Sequence, residues 1–554
     1  MSGSYWSSED GQKRLLIVAV GAMFAVFVSV NISLSLFHGH LAMVPNYDDV
    51  NYMADALSRL RFDSGFGLRS VLKSFVNDPP HAPVTTATGM FGFWLLGPEP
   101  IAAYIANSWV VLLFLLFMVR LSRPVGRALD RALFIATLLF VPVVQAMVQE
   151  FRPDLPAGLM FGIALYAVCV VDLGRATWSR KLLLAGLCVA ATIIKPSAFI
   201  LVVPALGVAL VVVLLRSIFI ERANRRANLI AIAEIVIAYL VMMVPFVIVW
   251  GPQTYAYVYG VLFTYADVWN TAGDAAFHAF YHSTGIGGKF ALGRFIQTGL
   301  ILIAVDLAIW LFARERRRRG TLEYYFVVLV VYVAMAMSGE KTPYQGSLFY
   351  IPFVIAFASA SVRILAYIRD VLDFGWLVRA SLIAILLYDI FKLPLASYYY
   401  GAAPNAALLP PVVNQITTRL VDLSLANVGN DACSGRPLKV VMTDSEPIPT
   451  PLVQFEAAKV SIPVEVWTTY MTRSLDEIKA ITEAADVVLV ADPSHKPTSR
   501  WFPGIAFNPE LFEHLKSWGE TRRFDIGSDD GSPLWLFVNP RCIPSRAARP
   551  ATPP

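Results

Sequence analysis

Apolar runs recur along this chain at about 15–37, 100–119, 132–149, 155–171, 182–194, 197–215, 228–250, 292–313, 321–337, 347–367 and 375–393, with short polar or basic segments between them. Runs of this length and spacing predict an α-helical polytopic membrane protein of about eleven transmembrane helices, residues 1–395. A linker over 396–429 follows, and from about 430 the pattern turns polar. Strand-like runs at Leu438–Met442, Val487–Val490 and Leu534–Val538 alternate there with helix-like runs at Leu475–Ala485 and Pro509–Trp518. That alternation predicts a small α/β domain over 430–543. The tail, 544–554, is rich in Pro, Ala and Arg and is expected to be disordered. No internal repeat is visible, which weighs against a transporter built from inverted halves.

Basic residues fix the expected orientation. They cluster in alternate loops: Lys13-Arg14; Arg120, Arg123, Arg127 and Arg131; Arg175, Arg180 and Lys181; Arg216, Arg222, Arg225 and Arg226; Arg314 with Arg316–Arg319; Arg363 and Arg369. The positive-inside rule places these loops in the cytoplasm. The opposite face then receives the loop from Pro45 to Pro98, the turn at 149–153, the break at Lys195-Pro196, the loop 251–290, the turn 338–345, and the C-terminal domain. The first run lacks a small-x-small cleavage site and is read as a retained helix.

Composition agrees with this picture. The 554 residues are 56% hydrophobic and 15% charged, with a mean hydropathy of +0.59. The net charge is only +5, and the basic residues sit beside apolar runs, so nucleic acid is not an expected partner; the lipid bilayer is. Of four cysteines, Cys169 and Cys188 lie in apolar runs, while Cys433 and Cys542 bracket the C-terminal domain and could pair outside the cytosol. Asn31-Ile32-Ser33 lies inside the first apolar run, so no outward loop offers an Asn-x-Ser/Thr acceptor; this favours a bacterial inner membrane with the site facing the periplasm.

The charged residues at helix ends then converge on one face: Asp48 and Asp49, Arg152 and Asp154, Lys195, and Lys341. Acids that accept a proton and cations that hold a phosphate are what sugar transfer from a lipid phosphate requires. Lys195 ends a run of thirteen residues, Leu182–Ile194, which reaches only about 20 Å against a hydrocarbon core of roughly 30 Å. It should therefore lie below the outer surface, where a lysine needs an anion or a wet cavity. Each residue also has a plainer use. Asp48 or Asp49 could cap the amphipathic stretch Val50–Leu60, Asp154 could cap the helix after Pro153, and Lys195 and Lys341 could snorkel. His278 and His282, spaced i and i+4, could share a helix face as metal ligands, though a solvated loop explains them more simply, and no metal ligands are assigned. Asp306, Glu234 and Asp389 fall in or near apolar runs and read as buried contacts between helices.

Asp48-Asp49-Val50-Asn51-Tyr52 resembles the acid-acid-x-x-Tyr element of the GT-C glycosyltransferases, in the branch of the protein O-mannosyltransferases and lipid A aminoarabinose transferases. Further elements resemble that branch in the same order: Asp78-Pro79-Pro80-His81-Ala82-Pro83, Glu150-Phe151-Arg152-Pro153-Asp154, Ile193-Ile194-Lys195-Pro196, and Lys341-Thr342-Pro343-Tyr344 with Phe349-Tyr350-Ile351-Pro352. The resemblance implies a GT-C-like fold, a polyprenyl-monophosphate sugar donor and inversion at the anomeric carbon. It implies Asp48 as general base and Asp49 as its neighbour, in a position where the family commonly has Glu. Asp154 becomes a second acid at the acceptor side, Lys195, Arg152 and Lys341 the donor-phosphate cations, and Tyr52, His81 and Tyr344 lining residues of the substrate cavity. No cofactor is expected: a monophosphate leaving group carries less charge than a diphosphate, so a divalent metal is compatible but not required. The acceptor can be an envelope glycolipid, a polysaccharide or a protein. The rival reading is a lipid or polysaccharide transporter without transfer chemistry, which would place ionisable groups nearer the midplane.

Overall fold

The computed structural model describes residues 9–42, 45, 47–63, 67–221, 224–312, 320–371, 375–391, 409–426, 436–443, 448–493, 502–518, 520–524 and 533–542. Every apolar run found in the sequence falls on helix. Most form one helix each, such as Glu9–His38, Trp178–Ile193, Phe199–Phe219 and Arg225–Tyr259. The second run is divided at Ser108, and the third bends by 75° between Ala128–Leu138 and Pro142–Gln149, where Pro142 starts a new helix. Among the described residues six helices are long and apolar enough to cross a membrane, or seven if the bent pair is one span, against the eleven expected. The difference is one of length: Asp154–Val170 and Thr321–Met337, with 17 residues each, are apolar but short, and Trp178–Ile193 has 16. Helices of that size rise only about 25 Å.

By its contacts the chain divides into two compact units, one of 1–34, 79–85 and 104–400, the other of 35–78, 86–103 and 401–554. The segment that carries the acid pair thus groups with the C-terminal domain.

In the first unit the organising contact is between helices Asp154–Val170 and Ser347–Val371. A Cβ built on Gly158 would lie 2.4 Å from the Ser347 carbonyl oxygen, and one on Gly162 would lie 2.8 Å from Ile355 Cδ1 and 3.3 Å from Pro352 N. Glycines four residues apart clear a stripe on which the second helix rests its backbone, the close-packing device of membrane helices. Charges inside the bundle are paired, as a medium without water demands. Arg363 donates to both carboxylate oxygens of Asp306, at 2.7 and 2.5 Å, and Tyr325 Oη adds a bond of 2.9 Å. Lys181 pairs with Glu234 at 2.5 Å, and Arg294 with Asp389. Asp306 and Glu234 make helix-to-helix contacts as read, while Asp389 meets Arg294 in the turn before helix Phe295–Phe312.

In the second unit the C-terminal domain is a five-stranded sheet, β1 Leu438–Met442, β2 Val464–Thr468, β3 Val487–Ala491, β4 Glu520–Phe524 and β5 Leu534–Val538, in the order β2-β1-β3-β5-β4. The first three strands are parallel and joined through helices Thr450–Lys459 and Leu475–Glu483; β5 pairs antiparallel with both β3 and β4. β1 and β5 match their expected bounds. β2, β4 and helix Thr450–Lys459 carry no strong periodicity and were not expected. The stretch 396–429, expected to be linker, contains helix Leu409–Ala426. Cys542 is disulfide-bonded, while Cys433 and the tail lie outside the described residues.

The glycine stripe generates a comparison. Gly158→Val should place methyl groups against the Ser347 backbone and destabilise the bundle by about 1–3 kcal/mol or more. Gly186→Ala, on a helix face with nothing within 4 Å, should be neutral or stabilising by about 0.5–1 kcal/mol. Thermal unfolding in detergent checks both; equal midpoints for the two variants would refute the close approach.

Candidate active site

The first unit assembles one group of predicted residues at helix ends. Helix Trp178–Ile193 stops because Pro196 cannot continue it, and Lys195 takes an extended conformation, φ −129° and ψ 90°, before a 3-10 turn at Pro196–Ala198. This break turns the lysine toward Asp154, the first residue of helix Asp154–Val170, and Lys195 Nζ lies 2.5 Å from Asp154 Oδ1. The side chains are only 18% and 9% exposed, so the pair is largely withdrawn from water. His81 shares this environment. Its ring centroid is 4.5 Å from that of Tyr257, and the preceding carbonyl, of Pro80, accepts a bond of 3.1 Å from Trp250 Nε1. Burial, reinforced by the Lys195 cation and opposed by Asp154, lowers the His81 pKa to about 4, so the imidazole is neutral at physiological pH.

Arg152 and Tyr344 come together as a second group. The guanidinium carbon stands 3.7 Å over the Tyr344 ring, and Nε is 3.8 Å from Glu150 Oε2. The arginine is 3% exposed, which makes the aromatic face a substantial part of its desolvated setting. Lys341 is occupied differently from the expectation. Its ammonium donates to the carbonyls of Met335 and Ala336, at 2.6 and 3.0 Å, and so closes the C-terminal end of helix Thr321–Met337; burial lowers its pKa.

A cavity of about 370 Å³ opens beside Lys195. Apolar side chains, among them Leu201, Val261, Leu262 and Leu348, form much of its wall, and Lys195, Asn270 and Glu340 add polar groups. That volume lies within the roughly 300–1,000 Å³ common for small-ligand sites.

In the second unit, Asp48 and Asp49 occupy the first turn of helix Tyr47–Ser58. Helical geometry separates the two. Asp48 is exposed, whereas Asp49 is buried, with Oδ2 3.2 Å from His40 Nδ1. Tyr52, one turn further, packs inward. Sequence reasoning missed His40 and the network around Arg59. Arg59 donates to Asp55 at 2.7 Å, to Ser74 Oγ at 2.9 Å and to Asp78 at 3.1 Å, while Thr86 holds the other Asp55 oxygen at 2.8 Å. The i,i+4 spacing of Asp55 and Arg59 was the available signal. His282, weighed above as a metal ligand, is buried with Nδ1 2.8 Å from Tyr350 Oη; burial and Lys341 lower its pKa to about 3. No group of three His, Cys, Asp or Glu side chains suited to a metal occurs among the described residues.

The chain superposes on ArnT from Cupriavidus metallidurans bound to undecaprenyl phosphate with a TM-score of 0.52 and 12% identity, over 94% of this chain and 97% of that one. This is a GT-C fold. The likeness in fold takes in nearly all of both chains. Apo ArnT from the same organism scores 0.49 at 11% identity, over 94% and 98% of the two chains. An Archaeoglobus fulgidus oligosaccharyltransferase in complex with Zn and sulfate scores 0.48 at 12% identity, over 86% and 68%. No family model and no curated protein matches the sequence.

The setting of His81 has a pH consequence. Its folded pKa of about 4 lies below the unfolded value near 6.5, so stability is complete above about pH 6.5 and declines as the pH falls toward 4. At pH 5 this histidine should account for about 1–2 kcal/mol of lost stability. Unfolding midpoints at pH 7.5 and 5 should therefore drop less in His81→Gln than in the parent; an equal drop would show a hydrated imidazole.

Proposed function

We propose that this chain is an inverting glycosyltransferase that moves a sugar from a polyprenyl-monophosphate donor to an extracytoplasmic acceptor at a bacterial inner membrane. The observation that carries the reading is Lys195, held by Asp154 at the edge of a largely apolar cavity, in a GT-C fold. A cavity with apolar walls and one cation suits a lipid phosphate: the walls take prenyl units, and the ammonium takes the phosphate oxygens. The ArnT of the same fold was crystallised with undecaprenyl phosphate.

In the proposed reaction the acceptor hydroxyl attacks the anomeric carbon from the face opposite the phosphate, and the bond from that carbon to the phosphate oxygen breaks. Asp48 takes the hydroxyl proton. Its exposure at a helix N-terminus suits a base that must stay ionised and reachable, whereas buried Asp49 suits orientation of the loop through His40. Lys195 and Arg152 neutralise charge developing on the leaving phosphate, with Asp154 keeping Lys195 placed until the donor arrives. Lys341 contributes to the phosphate site if its ammonium leaves the helix end. Tyr52, His81 and Tyr344 line the substrate path; neutral His81 can donate or accept one hydrogen bond without adding charge. The chemistry needs no metal.

Asp48→Asn should leave the protein folded and lower turnover by about 10² or more, the usual scale of a general base. Lys195→Met should lower turnover even with donor in excess, because the charge it neutralises develops as the bond breaks. Both are read by release of polyprenyl phosphate from a lipid-linked sugar in nanodiscs, and near-normal release by Asp48→Asn would sink the base assignment.

A further inference from the structure

The helix that carries the acid pair cannot be explained from its own sequence. Tyr47–Ser58 has twelve residues, and isolated helices shorter than about 12–15 residues are marginal in water. Its inner face, Val50, Met53, Ala54 and Leu57, is at most 1% exposed. The surface covering it is supplied by helix Thr450–Lys459 of the C-terminal domain, whose Leu452, Val453 and Phe455 are equally buried. Gln454 Nε2 reaches Ser58 Oγ at 3.4 Å, across 396 residues of sequence. Phe455 packs against Phe93, at 5.8 Å between ring centroids, and Lys459 pairs with Glu99 at 3.2 Å, which ties the same helix to the end of the outer loop.

We propose that the C-terminal domain is a positioning element for the acid pair, with Phe455 as its anchor. The inference rests on the reading of Asp48 as base. Asp48 and Asp49 lie two and one residues before Val50, so loosening the contact moves them directly. A small displacement of a reacting group is enough to cost about 10²-fold in rate. The domain then acts on the chemical step itself, upstream of any choice of acceptor: slow hydrolysis of the donor by water uses the same base and should depend on the same support.

Phe455→Ala should lower the rate constants of donor hydrolysis and of transfer to acceptor together, by about tenfold to a hundredfold, with the donor KM within about twofold. Phe455→Leu, which refills most of the volume, should recover most of both rates. Loss of transfer with hydrolysis intact would overturn the proposal in favour of an acceptor-binding domain, and retention of both rates by Phe455→Ala would overturn it outright. Should Phe455→Ala fail to fold, cysteines at Ser58 and Gln454 decide. A short bis-maleimide should join them in the intact protein and leave turnover in place; failure to join, or loss of turnover on joining, contradicts the packing. Near-normal turnover of Asp48→Asn with successful cross-linking would reject the base and not the contact, so the two readings fail separately.

Discussion

The architecture of the membrane unit depends on how closely two backbones approach at Gly158 and Gly162. A membrane offers no hydrophobic drive for helix association, so contact must come from packing, and packing improves as side chains are removed from the seam. With Ser347 O within 2.4 Å of where a Cβ of Gly158 would stand, helix Asp154–Val170 has one admissible register against helix Ser347–Val371. That register fixes two ends at once. Asp154 heads one helix, and Tyr344, three residues before Ser347, stands under Arg152. The charged groups are thus arranged by glycines that make no polar contact.

Electrostatics then separates structure from chemistry. Asp306 with Arg363 and Glu234 with Lys181 tie one helix to another, and Asp389 with Arg294 ties a helix to the turn before Phe295–Phe312. Lys341 is structural in another way, its ammonium closing the end of the helix that precedes it. Lys195 differs because it is paired and still lines a cavity. It is a cation with a placed counter-ion beside a largely apolar volume.

Much of this was legible in the sequence, for identifiable reasons. The helical class followed from apolar runs, and the partnership of Lys195 with an anion followed from a run too short to carry it to the surface. The number of membrane-crossing helices was not legible, because a run such as Ala128–Gln149 reads as continuous while Pro142 bends it. The contact Lys341 makes with the Met335 and Ala336 carbonyls was not foreseen, although a lysine four residues past the end of a helix is a familiar carbonyl cap. The packing of Tyr47–Ser58 on Thr450–Lys459 was invisible: nothing local in either segment names a partner almost 400 residues away. The Arg59 network was only half visible, as Asp55 is near in sequence and Asp78 is not.

The central claim is that the protein breaks the bond between a sugar and a polyprenyl phosphate, and a reconstituted assay addresses it directly. Purified protein in liposomes, given a polyprenyl-monophosphate sugar labelled at the anomeric carbon, should release free polyprenyl phosphate and yield glycoside or free sugar whose first-formed anomer is inverted. Movement of the intact lipid-linked sugar between leaflets, with no bond cleavage, would contradict the account and identify a transporter in its place.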